Sequence, residues 1–152
     1  MLTLLASYLD RLVMLHAEAE RALDGLPPEA LDWSPAPEIN SLGVLAAHLA
    51  GAERYWIGDI TGRDPSGRVR EQEFQARGAD AAALKQRLAD VLAHSRDILE
   101  RLTPEDLEVS HKFPSDGREF TVAWALAHAL EHTAVHVGHM QITRQLWEKR
   151  EK

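Results

Sequence analysis

Cysteine is the residue type whose absence says most about this chain of 152 residues. Without cysteine the protein forms no disulfide, holds no thiolate-bound zinc and offers no cysteine nucleophile of its own. Positive charge is also scarce, because 17 Lys and Arg stand against 24 Asp and Glu, which gives a net charge of −7. An acidic chain repels phosphate backbones and anionic membranes, so we expect neither nucleic acid nor a membrane as a partner.

Long apolar runs are missing as well. None reaches the roughly 20 residues of a membrane-spanning helix, and the N-terminal run is closed by Asp10 and Arg11. That run is too short for the core of a secretory signal peptide with its flanks, so the sequence predicts a cytoplasmic protein. The length matches one domain at roughly 150 residues per domain, and a content of 45% hydrophobic and 27% charged residues is that of a globular protein. We therefore expect a single domain over residues 1–152.

What the sequence does contain is helical periodicity, with apolar residues recurring every three or four positions. The first predicted helix spans residues 2–23 and carries its apolar face on Leu5, Leu9, Leu12, His16, Ala19 and Leu23. Two more predicted helices begin at the N-cap candidates Asn40 or Ser41 and Asp80, and a last one begins at about Phe120 or Thr121. They end at about residues 60, 102 and 148.

The connections between these helices read as loops rich in proline and glycine. Residues 28–37 allow at most a short turn, residues 61–79 form a long loop with solvated arginines at 63, 68 and 70, and residues 108–118 form another loop. Thr103 followed by Pro104 and an acid predicts an extra helical turn. Strand-like alternation is absent. Four amphipathic helices predict an all-α protein, a four-helix bundle with long connecting loops.

The last helix carries four of the eight histidines, namely His128, His132, His136 and His139. At 100° per residue they fall within a narrow arc, which predicts that they share the inward face. A buried imidazole nitrogen needs a partner, and a metal ion can partner several nitrogens at once. A polar network inside the core is the alternative.

Spacing selects the candidate ligands for such an ion. His132 and His136 lie four residues apart, so their side chains meet on one helix face. A third ligand must come from another helix, where His48 is the candidate and His16 the reserve. Thr133 stands where the zincin motif needs a glutamate, so that motif is excluded. Three imidazoles suit one divalent ion, with Zn, Ni or Fe expected first and Cu also compatible.

Two segments resemble a known family, the DinB-like (YfiT-like) metalloenzyme superfamily. They are the stretch from Leu31 to Trp56 and the stretch from His128 to His139, with Arg144 beyond it. The resemblance covers nearly the whole chain and implies a four-helix bundle, usually a homodimer, with one divalent metal. Carried over to this chain, the implied ligands are His48, His132 and His136. His128 and His139 lie beside them and remain open as substitutes.

The superfamily includes thiol-dependent enzymes that use mycothiol, bacillithiol or glutathione. The resemblance therefore implies a metal-dependent enzyme with thiol S-transferase or isomerase chemistry. Its low-molecular-weight thiol must be external, since the chain has no cysteine. His139 first and His128 second are candidates for moving a proton, and Arg144 for pairing with a carboxylate of the thiol or substrate, with a surface salt bridge as its alternative. A metal-binding, dimerising bundle without catalysis is the alternative function.

Overall fold

A computed structural model describes residues 1–150 of the chain. Four long helical segments form the bundle that the periodicity predicts. They are α1 (Thr3–Leu23), α3 (Leu42–Glu53) continued by a π-helical segment (Arg54–Thr61), α5 (Ala81–Leu99) and α7 (Val122–Lys149). Three short helices lie in the connections: α2 (Pro28–Asp32), α4 (Arg70–Glu73) and α6 (Pro104–Leu107).

The helix starts follow the N-cap chemistry that the sequence predicts. Ser41 accepts a hydrogen bond from the Val44 N–H at 3.3 Å, and Asp80 accepts one from the Ala83 N–H at 2.8 Å. Thr121 starts α7 in the same way, and Thr103 forms a complete capping box with Asp106 around α6. Three of these four starts precede the long helices that carry the core, so local sequence sets where the bundle elements begin.

Burial defines how the helices are arranged. The six positions predicted as the inward stripe of α1 are all buried, as the periodicity predicts. All 12 residues of α3 are buried, because α5 and α7 pack against it and α2 and α4 cover further parts of its surface. The most central helix of the bundle is therefore α3, and it carries His48 into the interior.

The connections hold two features that periodicity does not predict. Residues 110–112 (β1) and 119–121 (β2) form a short antiparallel hairpin in which His111 lies opposite Phe120, although the sequence shows no strand-like alternation there. Within the predicted loop 61–79 lies the four-residue helix α4. Strands of three residues and a helix of one turn are shorter than the patterns that reveal them.

Within residues 1–150, no helix combines the length and apolar character needed to cross a membrane.

Candidate metal centre

Three histidine side chains converge where α3 faces α7. One ring nitrogen from each of His48, His132 and His136 lies within 4.8 Å of the others. The Nε2 atoms of His48 and His132 are 3.1 Å apart, and the ring centroids of His132 and His136 are 4.3 Å apart. Within the part of the chain that the structure describes, this is the one group of three such side chains.

Local helix geometry explains why these rings meet. His132 and His136 occupy successive turns of α7, so both rings project from the same side of the helix. His48 lies near the middle of α3, which packs directly against α7. The ring centroids of His48 and His136 are 4.9 Å apart and the ring planes stand at 89°. The fold thus brings together the three positions that the sequence singles out as candidate ligands.

Burial keeps these imidazoles neutral. It lowers the pKa of His132 from 6.5 to about 3, with a further contribution from the neighbouring His136. Burial also lowers the pKa of His136 to about 4, with His48 as the next contributor. The pKa of His48 is lowered by burial too, although the Glu73 carboxylate opposes that effect. At neutral pH each ring therefore has an unprotonated nitrogen available as a ligand.

The donor set fits a divalent ion. Nδ1 of His48 donates to a carboxylate oxygen of Glu73 at 2.8 Å, so its Nε2 carries a lone pair. That lone pair faces Nε2 of His132, in a cluster of three imidazoles with no acid among them. Neutral imidazole nitrogens are the ligands that zinc and its neighbours in the first transition row accept. His48, His132 and His136 would hold such an ion.

A buried ion pair stands behind His48. Glu73 is 4% exposed and receives two hydrogen bonds from Arg68, at 2.6 and 2.8 Å. These bonds and the one from His48 outweigh the effect of burial and leave the pKa of Glu73 below its ordinary value. The prediction that Arg68 is a solvated loop residue was wrong, because its guanidinium folds back over the loop to reach this carboxylate.

A cavity of about 670 Å³ opens beside the histidines. His48 and His132 line it, together with the aromatic side chains of Tyr55, Trp56 and His128. The His128 ring is half-buried and stacks on Trp124, with ring planes 7° apart and centroids at 5.0 Å. Its centroid lies 6.0 Å from that of His132, so His128 borders the cluster without joining it.

His139 departs from the predicted inward placement. Its side chain is exposed, although Nδ1 lies 3.4 Å from Nδ1 of His136. The buried face of α7 is centred on Ala129, Thr133 and Met140, to one side of the four histidines. The histidines therefore lie along the edge of that face, where the bundle opens to solvent, and His139 lies on its outer side.

Arg144 binds the end of another helix. Its guanidinium donates to the backbone carbonyls of Arg21, in the last turn of α1, and of Asp24, just after that helix, at 2.7 and 2.8 Å. Its Nε also donates to Glu148 at 2.8 Å, which is the surface salt bridge considered as the alternative. A role in binding the thiol or substrate stays a prediction.

The reserve ligand His16 lies in a different network. Its Nε2 is 2.6 Å from Oε2 of the fully buried Glu53, which also accepts a hydrogen bond from Ser95 at 2.7 Å. This network joins α1, α3 and α5 and does not include the three converging histidines.

Comparison with known proteins shows which family the chain matches. The profile of the mycothiol-S-transferase family matches residues 4–149. The chain belongs to that family. This membership confirms the DinB-like resemblance, and it covers every histidine of the cluster. No curated protein matches the chain significantly.

Two solved structures share the fold of this mycothiol-S-transferase family member. A conserved protein of Enterococcus faecalis superposes with a TM-score of 0.84 at 19% identity, covering 99% of this chain and 100% of that one. YfiT of Bacillus subtilis, described as a probable metal-dependent hydrolase with an unusual four-helix bundle topology, superposes with a TM-score of 0.78 at 14% identity. That match covers 95% of this chain and 89% of YfiT.

Sequence reasoning missed two residues of this family member's site, Glu73 and Arg68. Glu73 lies 25 residues from His48 in sequence, inside a segment without a period. The alternation of arginines with acids in residues 63–73 suggested local pairing and gave no sign of a long-range contact.

Proposed function

We propose that this protein is a metal-dependent enzyme that activates an external low-molecular-weight thiol for S-transfer or isomerisation. One observation carries the proposal: three neutral imidazoles converge beside an open cavity that His48 and His132 line, in a chain of the mycothiol-S-transferase family. The same cluster supports a divalent ion as the cofactor.

The thiol must come from outside the chain, which has no cysteine. A free thiol has a pKa near 8.5, so only a few per cent is thiolate at neutral pH. A divalent ion held by the three histidines supplies the positive charge that stabilises the thiolate. The chain itself contributes the ligands, the cavity and the groups that handle the proton.

Two further histidines are proposed for the proton. His139 lies next to the ligand His136 and is exposed, so it can exchange a proton with solvent. His128 lines the cavity and packs against Trp56 and Trp124, with ring centroids at 4.8 and 5.0 Å, so packing fixes the orientation of its ring in the cavity wall.

A site with three protein ligands leaves a coordination position for substrate, whereas a structural site is closed by a fourth ligand. The converging group has three members, and His16 is engaged with Glu53 elsewhere. This arrangement favours the enzyme over the alternative, a non-catalytic metal-binding dimer.

Metal analysis of the purified protein is the first test. We expect one divalent ion per chain in the wild type and a large loss in each of the variants His48→Ala, His132→Ala and His136→Ala, because two remaining ligands hold the ion weakly. His94→Ala is the matched control, since His94 pairs with Asp64 outside the cluster. Full stoichiometry in all three variants would exclude this ligand set.

Cobalt substitution tests the thiol. Titrating mycothiol, bacillithiol or glutathione into the cobalt form should produce a sulfur-to-cobalt charge-transfer band with the true co-substrate. Turnover of an electrophile should require the same thiol and stop when a chelator is added. If none of these thiols changes the spectrum, the non-catalytic metal-binding bundle is the better assignment.

A further inference from the structure

We propose that Glu73 is a positioning residue for the metal centre: held by Arg68 in a niche opened by Gly51, it fixes the orientation and tautomer of His48. The inference rests on the proposed metal site. It assigns a function to residues 66–73, a segment without helical periodicity that the sequence predicts to be part of a loop.

The hydrogen bond to Glu73 determines which nitrogen of His48 is free. A carboxylate only accepts hydrogen bonds, so the 2.8 Å contact requires a proton on Nδ1. The neutral ring then has its lone pair on Nε2, the atom that faces His132 at 3.1 Å. Without the carboxylate, the proton is free to move to Nε2 and block the ligand atom. A carboxylate behind a ligating histidine is a recurring arrangement in metal sites.

Arg68 holds the carboxylate in place. Its Nε and Nη2 atoms each donate to a different oxygen of Glu73, at 2.6 and 2.8 Å, which fixes the plane of the carboxylate. The guanidinium lies 5.6 Å from the centre of the Tyr55 ring, so it is packed as well as hydrogen-bonded. A lysine ammonium group cannot reproduce this planar contact with its two hydrogen bonds.

Gly51 supplies the space. It lies on α3, three residues after His48, and the carboxylate of Glu73 rests against it. A Cβ added at Gly51 would overlap Oε1 of Glu73 and lie 2.6 Å from Cδ. Because the overlapping group is the end of a flexible side chain, an added methyl group would displace Glu73 rather than the helix.

The bundle contains an internal control. Glu53 is also buried and also bonded to a histidine, His16, at 2.6 Å, but it lies outside the three-histidine cluster. A purely structural carboxylate would behave like Glu53, so the two can be compared directly as Glu73→Gln and Glu53→Gln.

The binding experiment titrates Zn²⁺ into metal-free protein in competition with a chromophoric chelator. We expect Glu73→Gln to weaken zinc affinity about 10-fold or more, the usual effect of losing a carboxylate behind a ligand, and Glu53→Gln to leave it within about twofold of wild type. Equal affinities for wild type and Glu73→Gln would overturn the inference. If the wild type itself binds no zinc, the proposed function fails instead.

A second measurement needs no metal. Nitrogen-15 NMR of the metal-free wild type near neutral pH should show His48 protonated on Nδ1, whereas Glu73→Ala should shift it towards the other tautomer. A wild-type His48 protonated on Nε2 would overturn the inference, whatever the protein binds.

Gly51→Ala tests the niche with Glu73 chemically intact. We expect the folded variant to lose the Nδ1 tautomer signal and to bind zinc about as weakly as Glu73→Gln. Gly138→Ala is the matched control, because it is a helical glycine whose added Cβ meets nothing within 4 Å. Wild-type zinc affinity and tautomer in Gly51→Ala would contradict the proposed niche.

Discussion

Two buried carboxylates, Glu53 and Glu73, are hydrogen-bonded to histidines inside this bundle. Glu53 lies outside the metal centre and connects several helices. Glu53 links α1, α3 and α5 through His16 and Ser95, with no solvent exposure of its side chain. Nδ1 of His16 is also buried and has no hydrogen-bond partner among the described residues. The network is therefore only partly satisfied, which makes the remaining bonds costly to lose.

We predict that Glu53→Gln lowers the free energy of unfolding by about 1–3 kcal/mol, because an amide cannot serve both partners as the carboxylate does. Urea unfolding of the metal-free variant and wild type measures the difference. Unchanged stability would show that the network contributes little to the fold.

The N-cap of α3 is a second buried polar contact that stabilises the fold. Ser41 is 2% exposed and accepts the Val44 N–H, so its hydroxyl satisfies a buried donor at the start of the most central helix. Ser41→Ala should cost about 1 kcal/mol of unfolding free energy by urea titration. Ser41→Asn, which keeps a capping side chain, is expected to retain more of that stability than alanine, and an equal loss in both variants would point to packing rather than capping.

The elements differ in how far sequence predicts them. The four long helices, and the side-chain caps of α3 and α5, follow from spacing and side-chain chemistry within a few neighbouring residues. His132 and His136 are set by the same local rule, and His48 is the candidate ligand that another predicted helix supplies. Local rules are sufficient for these because each depends on one helix.

Features that depend on contacts between elements were not predictable in the same way. The contact between Glu73 and His48 joins positions 25 residues apart and depends on how the loop returns to α3. The exposure of His139 depends on which side of α7 packs, and the actual face follows Ala129, Thr133 and Met140 rather than the histidines. A helical wheel gives relative angles but not the direction of the core.

For the whole molecule, the depressed pKa values make stability depend on pH. The folded state holds His132 and His136 at pKa values of about 3 and 4, against 6.5 in the unfolded chain. As the pH falls below 6.5 the unfolded state takes up protons first, so unfolding becomes more favourable. This contribution to stability is full above pH 6.5 and is progressively lost as the pH falls towards about 3.

We therefore predict that the metal-free protein has a lower Tm at pH 5 than at pH 7, and that the double variant His132→Ala, His136→Ala shows a smaller drop. Differential scanning calorimetry across this range measures both. An identical pH dependence in the two proteins would assign the effect to other groups.

The oligomeric state stays a prediction. The family resemblance implies a homodimer, and the outer side of α7 exposes Val135, Ile142 and Leu146 by 50%, 57% and 44%. Sedimentation at micromolar concentration should show a dimer, and Ile142→Glu should shift it towards monomer if this side of α7 is buried between copies. A wild-type protein that sediments only as monomer would contradict the prediction.

The complete burial of α3 has a consequence for amide hydrogen exchange. A helix enclosed on every side exchanges its amide protons only when the bundle opens globally, whereas a helix with a solvent face also exchanges through local openings. The cluster therefore joins one ligand on a slowly exchanging helix, α3, to two ligands on α7, whose outer side faces solvent. Binding of an ion should slow exchange chiefly around His132 and His136 and in residues 66–73, while the amides near His48 slow only with global stability.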